Sequence, residues 1–257
     1  MTASGRADHF DLTGRTAVVT GGSRGLGRAI AEGFAAAGAR VVVASRKAEA
    51  CEEVAAAIVS AGGQAIAVPT HVGRAEDLAA LVERSTDWAG GIDIVVNNAA
   101  NPLGGPLTEV TELAFTKSFE VNVLAPLRLC QLAMAQLQAS DHASVINVMS
   151  VGAFRGAGYL GLYTASKAAL WNLTRTMAKE WGPHGIRVNA LAPGPFETDM
   201  MAPTLSIPDF RQDIVDSTIQ RRVAEPGEIV GAALLLASDA GSYMTGSCLV
   251  VDGGTSA

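Results

Sequence analysis

The sequence predicts an α/β fold: a doubly wound parallel sheet of about seven strands with helices on both faces. Three observations carry that expectation. Short β-branched runs alternate with longer helical patterns along the chain. Each short run is apolar almost throughout, as in strands covered on both faces. No composition shift, flexible linker or repeat divides the 257 residues, so one domain over residues 1–257 is expected.

Taken in order, the expected strands are 16–20, 40–44, 65–69, 92–97, 144–148, 187–191 and 247–251. The expected helices between them are 25–37, 48–61, 76–88, 112–138, 163–181 and 226–237. Gly38, Gly62, Gly63, Gly90, Gly91 and Gly182 stand at the helix ends, where glycine's conformational freedom stops a helix. Strand–helix–strand order implies parallel strands joined by right-handed crossovers. The least regular stretch, 193–222, carries Pro195, Pro203 and Pro208. It reads as a surface excursion or, because it follows the carboxyl end of a strand, as a substrate lid.

Composition narrows the function classes. The chain is 49% hydrophobic and 17% charged, enough for a sizeable core and unlike a disordered chain. A net charge of -6 with no basic tract argues against a nucleic-acid partner. Cys51, Cys130 and Cys248 are dispersed and odd in number, as for reduced thiols in a cytoplasmic protein. His9, His71, His142 and His184 are equally scattered, so no metal site is expected. Residues 1–12 carry charges and no apolar stretch, so no secretory signal is expected. No run is apolar for long enough to cross a bilayer; the Ala-rich region after Gly27 is broken by Arg28, Glu32 and Arg40. A soluble, cytoplasmic protein without a membrane partner is the expectation.

The first strand runs into Thr20-Gly21-Gly22-Ser23-Arg24-Gly25-Leu26-Gly27. The glycines are spaced G-x-x-x-G-x-G, not G-x-G-x-x-G. The physical logic is nevertheless that of a Rossmann-type sheet. The backbone turns tightly after a strand, and a helix begins with bare amides that favour a pyrophosphate. Such sites place an acid at the end of the second strand for NAD, or an arginine for the extra phosphate of NADP. Here the segment is Val43-Ala44-Ser45-Arg46-Lys47, with no acid before Glu49. Arg46, with Arg24 beside it, points to NADP(H), and NAD(H) is the alternative.

An acid/base constellation follows. Tyr163 and Lys167 stand four residues apart and so share a helix face. A free tyrosine titrates near pH 10, and a neighbouring ammonium favours the phenolate. Lys167 is therefore expected to lower the pKa of Tyr163 towards useful acid/base work. Ser150 follows the strand 144–148, so its hydroxyl is expected at the carboxyl edge of the sheet, placed to hydrogen-bond a substrate carbonyl.

These motifs, in this order, make the chain resemble the short-chain dehydrogenase/reductase family from Leu12 to Gly254. The family's glycine motif matches residues 20–27, and its Asn-Asn-Ala-Gly segment matches Asn97-Asn98-Ala99-Ala100. Its catalytic asparagine matches Asn122, and its serine, tyrosine and lysine match Ser150, Tyr163 and Lys167. Its Pro-Gly turn matches Pro193-Gly194, Thr198 falls where the family contacts the nicotinamide carboxamide region, and Val251-Asp252-Gly253-Gly254 matches its C-terminal motif.

The resemblance implies an oxidoreductase that interconverts a ketone and a secondary alcohol by hydride transfer. Tyr163 would move the proton, Lys167 would tune it and bind the nicotinamide ribose, Ser150 would hold the carbonyl, and Asn122 would position a relay water. The cofactor residues implied are Gly21, Ser23, Arg24, Gly25, Leu26, Gly27, Arg46, His71, Val72, Asn98, Ala99, Tyr163, Lys167, Pro193, Gly194, Phe196 and Thr198. Two positions depart from the pattern. Ala100 replaces a glycine, and His71 stands where an aspartate is usual beside the adenine, leaving backbone contacts at Val72 to share that task.

Substrate-facing candidates are Ser150, Val151, Phe154, Arg155, Tyr163 and Phe196, with Met200 to Leu205 in the lid. Their mostly apolar character suits a small or hydrophobic ketone, as in a 3-ketoacyl reductase, with NADPH as reductant. The alternatives are a sugar-acid or steroid-type dehydrogenase using NAD, or a non-catalytic NADP-binding regulator. Family members pair the helices 112–138 and 163–181 between subunits, so Leu127, Leu129, Leu132, Leu170, Trp171 and Leu173 are expected to serve a homotetramer.

Overall fold

The computed structural model describes residues 9–257. Residues 1–8, most of the segment read as lacking a secretory signal, lie outside the described residues.

Seven strands form one parallel sheet: β1 (Thr16–Thr20), β2 (Arg40–Ser45), β3 (Gln64–Pro69), β4 (Ile94–Asn97), β5 (Ser144–Val148), β6 (Arg187–Pro193) and β7 (Cys248–Val251). Their order is β3-β2-β1-β4-β5-β6-β7. The chain steps outward from β1 to β3, then returns to β4 on the other side of β1. That reversal opens a crevice at the carboxyl ends of β1 and β4, where ligands bind in sheets of this kind.

The helices are α1 (Gly25–Ala36), α2 (Ala48–Ser60), α3 (Ala75–Ala89), α4 (Glu112–Phe119), α5 (Ala125–Leu132), α6 (Met134–Ala139), α7 (Gly161–Trp181), α8 (Ala202–Leu205), α9 (Pro208–Ser217) and α10 (Val230–Ala237). Strand side chains alternate between two cores, as a period of two requires. Val19, Val41 and Val43 pack with Ile30 and Phe34 of α1, Val54 of α2 and Leu236 of α10. Their neighbours Val18, Val42 and Val95 pack on the opposite face with Leu78 of α3, Leu129 of α5 and Met177 of α7. Burial of each such side chain contributes about 1.5–3 kcal/mol, and this double cover is why the strands read as unbroken apolar runs.

Two expectations need correction. The helix expected over 112–138 is not continuous: α4 passes through a π-helical turn, Glu120–Leu124, before α5, and a break at Ala133 precedes α6. Pro126 in the first turn of α5 has no amide to continue the upstream ladder. The irregular stretch 193–222 contains α8 and α9. No side chain of α9 is buried, so it lacks the apolar stripe that would have disclosed it. Among the described residues, no helix is long and apolar enough to cross a membrane.

Candidate active site

The glycine turn after β1 is held from outside itself. The Thr20 hydroxyl donates to the Val96 carbonyl at 3.1 Å and accepts from the amides of Asn98 at 3.0 Å and Ala99 at 3.2 Å. The Asn98 side chain donates to the carbonyls of Thr20 at 2.9 Å and Gly21 at 3.1 Å. Asn98, expected at the cofactor, is thus committed to the turn itself. A Cβ on Gly27 would lie 2.2 Å from the Gly21 carbonyl oxygen and 2.3 Å from Asn98 Nδ2. Gly27→Ala is therefore expected to lower the unfolding free energy by about 1–3 kcal/mol through overpacking. It should also weaken nucleotide binding at least about tenfold, since a displaced turn loses hydrogen bonds of about 1 kcal/mol each. Unchanged thermal unfolding and an unchanged NADPH titration would refute this.

Inside the clamp, the amides of Ser23, Arg24, Gly25, Leu26 and Gly27 have no partner among the described residues. Helix α1 has no side-chain cap and no acid in its first turn. These are unsatisfied donors at the positive end of a helix, the donor set that suits a phosphate. Ser23 donates to the Ser45 hydroxyl at 2.9 Å, joining the turn to the end of β2. Arg46 is exposed and has no partner among the described residues. The Arg24 side chain is 68% exposed and faces Asp199 at 3.6 Å. Thr198 lies over Gly25, where a Cβ would be 3.4 Å from the threonine Cγ2.

The acid/base residues meet beyond the next strands. Ser150, just past β5, accepts the Gly152 amide at 3.1 Å and caps the short turn Val151–Phe154. Tyr163 lies in the first turn of α7, and its hydroxyl is hydrogen-bonded to Ser150. Lys167 follows one turn later, 1% exposed, with Nζ donating to the Val148 carbonyl at 2.8 Å. Its Nζ lies 5.8 Å from the centroid of the Tyr163 ring.

The electrostatics correct the expectation for this pair. Burial pushes Tyr163 up to about 12, with the Ser150 hydrogen bond pulling the other way. Burial pushes Lys167 down to about 8. The spacing put the lysine on the correct face, but spacing says nothing of burial, and desolvation is the largest cause of both shifts.

Asn122 is fully buried in the π turn. Its Oδ1 accepts the Asn101 amide at 2.8 Å. Its Nδ2 faces the Asn101 carbonyl at 3.1 Å, Ser166 Oγ at 2.9 Å and Ser118 Oγ at 3.3 Å. Ser166 in turn donates to the Tyr163 carbonyl at 2.7 Å. The side chain thus ties α4, α7 and the segment after β4 together.

The remaining residues divide. Val151 is buried beside Ser150, while Phe154 and Met200 are exposed. Arg155 donates to the Thr255 carbonyl at 3.3 Å, bracing the C-terminal turn. Pro193 ends β6, and the Gly194 amide donates to the Val251 carbonyl at 2.9 Å. Phe196, expected to face substrate and nicotinamide, is 2% exposed and packs in the core with α1 and α10. Leu129 and Leu170, expected at a subunit interface, are buried within the chain, whereas Leu132 is exposed. Sequence reasoning missed Thr20, Asn101, Ser118 and Ser166, the residues that hold the functional ones. Only Thr20, a hydroxyl at the mouth of a glycine turn, carried any local signal.

The family model described as enoyl-(acyl carrier protein) reductase matches residues 21–256. Human dehydrogenase/reductase SDR family member 4 is 36% identical over 256 residues, covering 99% of this chain and 92% of the relative. A structure of 7α-hydroxysteroid dehydrogenase complexed with NADH and 7-oxoglycochenodeoxycholic acid superposes with a TM-score of 0.94 at 34% identity, covering 97% of each chain. A gluconate 5-dehydrogenase from Burkholderia cenocepacia J2315, in complex with NADP and tartrate, superposes with a TM-score of 0.92 at 32% identity, covering 96% of this chain and 97% of the other.

Proposed function

Because the chain belongs to the short-chain dehydrogenase/reductase family of NAD(P)-dependent oxidoreductases, we propose that it interconverts a ketone and a secondary alcohol, with Tyr163 carrying the proton. The observation behind this reading is the Tyr163 hydroxyl bonded to Ser150, one helical turn from the buried Lys167. A bound nicotinamide supplies or removes the hydride. The protein's own groups do the rest. Ser150 donates to the substrate oxygen as negative charge develops there. Tyr163 gives its proton to that oxygen during reduction and takes it back during oxidation.

Lys167 uses one of its three donors on Val148, and the other two suit ribose hydroxyls. When protonated, it also favours the Tyr163 phenolate. The Asn122 side chain is occupied at both ends, so its contribution to a proton relay comes through the backbone of the π turn. The amides of residues 23–27 hold the pyrophosphate with Gly21 and Ala99 around them, Val72 lies towards the adenine, and Thr198 lies towards the nicotinamide. All four of Asn122, Ser150, Tyr163 and Lys167 are present, which favours turnover over a regulatory role.

Arg24 and Arg46 support NADP(H), and with it the reducing direction. The substrate side is small or apolar, between Val151, Phe154 and Met200 under a lid over 193–222. A cyclic alcohol oxidised with NAD is the second reading, supported by the steroid dehydrogenase that superposes with NADH bound. We read the chain as one domain, cytoplasmic and homotetrameric; Leu113, Phe115, Leu124 and Leu132 leave an apolar surface on α4, α5 and the turn between them, and solution mass tests the assembly.

The reading is tested by following nicotinamide absorbance with NADPH and NADH against a panel of ketones and secondary alcohols. Turnover with apolar ketones and a higher kcat/KM for NADPH are expected. Arg46→Asp should lower the NADPH value by about tenfold or more, the scale of a lost charge-assisted contact. No turnover across the panel with either cofactor would reject the enzymatic reading, and equal use of both cofactors would reject the NADP assignment.

A further inference from the structure

The end of β3 carries an inference about the base that this protein accepts, and it rests on the dinucleotide reading above. With a pyrophosphate on the amides of α1, the adenosine ribose falls at the end of β2. Ser45 ends β2 and is joined to the phosphate turn through Ser23. The next strand outward is β3, and the Thr70 amide past its end donates to the Ser45 carbonyl at 2.8 Å. The base therefore belongs over residues 70–73.

The hydrogen-bonding polarity there is fixed by the protein. His71 Nδ1 accepts the Gly73 amide at 3.2 Å. A neutral imidazole has one acceptor and one donor nitrogen, so this bond makes Nε2 the donor. The ring lies close against Gly73, where a Cβ would be 3.1 Å from His71 Cε1. The segment is pinned by the His71 amide, which donates to Asp77 Oδ2 at 2.7 Å. The neighbouring Val72 amide has no partner among the described residues. This segment thus carries two donors, the Val72 amide and His71 Nε2, and the imidazole, with Nδ1 engaged, offers no acceptor.

Adenine's 6-amino group needs an acceptor, whereas a 6-carbonyl on a purine needs a donor. We propose that this pocket reads the base through donors, so that a hypoxanthine dinucleotide binds as well as the adenine form. Adenine is then held through N7, which accepts in both bases, and by stacking rather than through its amino group.

The test measures dissociation constants by calorimetry for NADPH and for its deaminated, hypoxanthine counterpart. For the wild-type protein the two are expected to agree within about threefold. His71→Asp replaces the donor by an acceptor and should favour the adenine form by about tenfold, the scale of one mismatched hydrogen bond. His71→Asn, which can present either polarity, should fall between them. Wild-type binding of the hypoxanthine form about tenfold weaker would overturn the inference and leave the dinucleotide reading intact. It would mean that an acceptor reads the amino group, and Glu120, whose Cδ would lie 3.6 Å from a Cβ on Gly73, is one carboxylate beside that segment. Binding of neither compound would overturn both.

Discussion

Tyr163→Phe is expected to bind NADPH normally and to lose about 10²–10⁴-fold in kcat, the range contributed by a positioned acid or base. The substitution removes one oxygen from a half-buried ring whose hydroxyl bonds to Ser150. It therefore leaves the fold and the nucleotide cradle intact. Rapid-quench turnover with a reducible ketone, alongside a cofactor titration, separates the two effects. A variant retaining near-normal kcat would remove Tyr163 from the chemistry. The pH dependence sharpens the point. Burial holds Tyr163 at about 12, so in the free protein it is a protonated donor throughout the neutral range, ready for reduction. Alcohol oxidation needs the phenolate, so its kcat/KM should rise with pH while that for reduction stays flatter.

Lys167→Met is expected to abolish most turnover and yet to stabilise the protein at neutral pH. Lys167 titrates at about 8 in the folded chain, against 10.5 for an unperturbed lysine. The unfolded chain binds that proton more tightly, so charging Lys167 in the native state works against folding below pH 8 by roughly 3 kcal/mol. The penalty fades as pH rises from 8 to 10.5, because the native state no longer needs to hold the proton. Tyr163 runs the opposite way: its folded value of about 12 stands above 10, so it contributes stability below pH 10 that is lost between 10 and 12. Methionine removes the buried charge but leaves the Val148 carbonyl without its lysine donor, a loss of about 1 kcal/mol or more. A net gain of about 1–2 kcal/mol near pH 7 is expected, shrinking towards pH 10. Thermal unfolding of both proteins at several pH values measures it. A variant less stable than wild type at pH 7, or a difference independent of pH, would contradict this account.

What the sequence disclosed depended on whether a local pattern carried the information. Strands β1 and β5 match their expected bounds because doubly covered strands are written as short β-branched runs. The π turn at Asn122 was not legible. It depends on Asn101, Ser118 and Ser166 converging on one amide, and these lie on separate elements. The Tyr163–Lys167 spacing was plain, but the shifts of both groups come from depth, which a helical period does not encode. The burial of Phe196 was not legible for the same reason: an aromatic residue after a Pro-Gly turn looks available, and only the packed core shows its side chain covered.

The clamp of Thr20 and Asn98 on the glycine turn has a consequence for modularity. The nucleotide cradle looks like a contiguous cassette of eight residues, 20–27, but its shape is set by a side chain 78 positions further on. Transplanting the cassette into another sheet would carry the amides without the geometry. The smallest transferable unit is discontinuous, taking in β1, its turn and the end of β4 together.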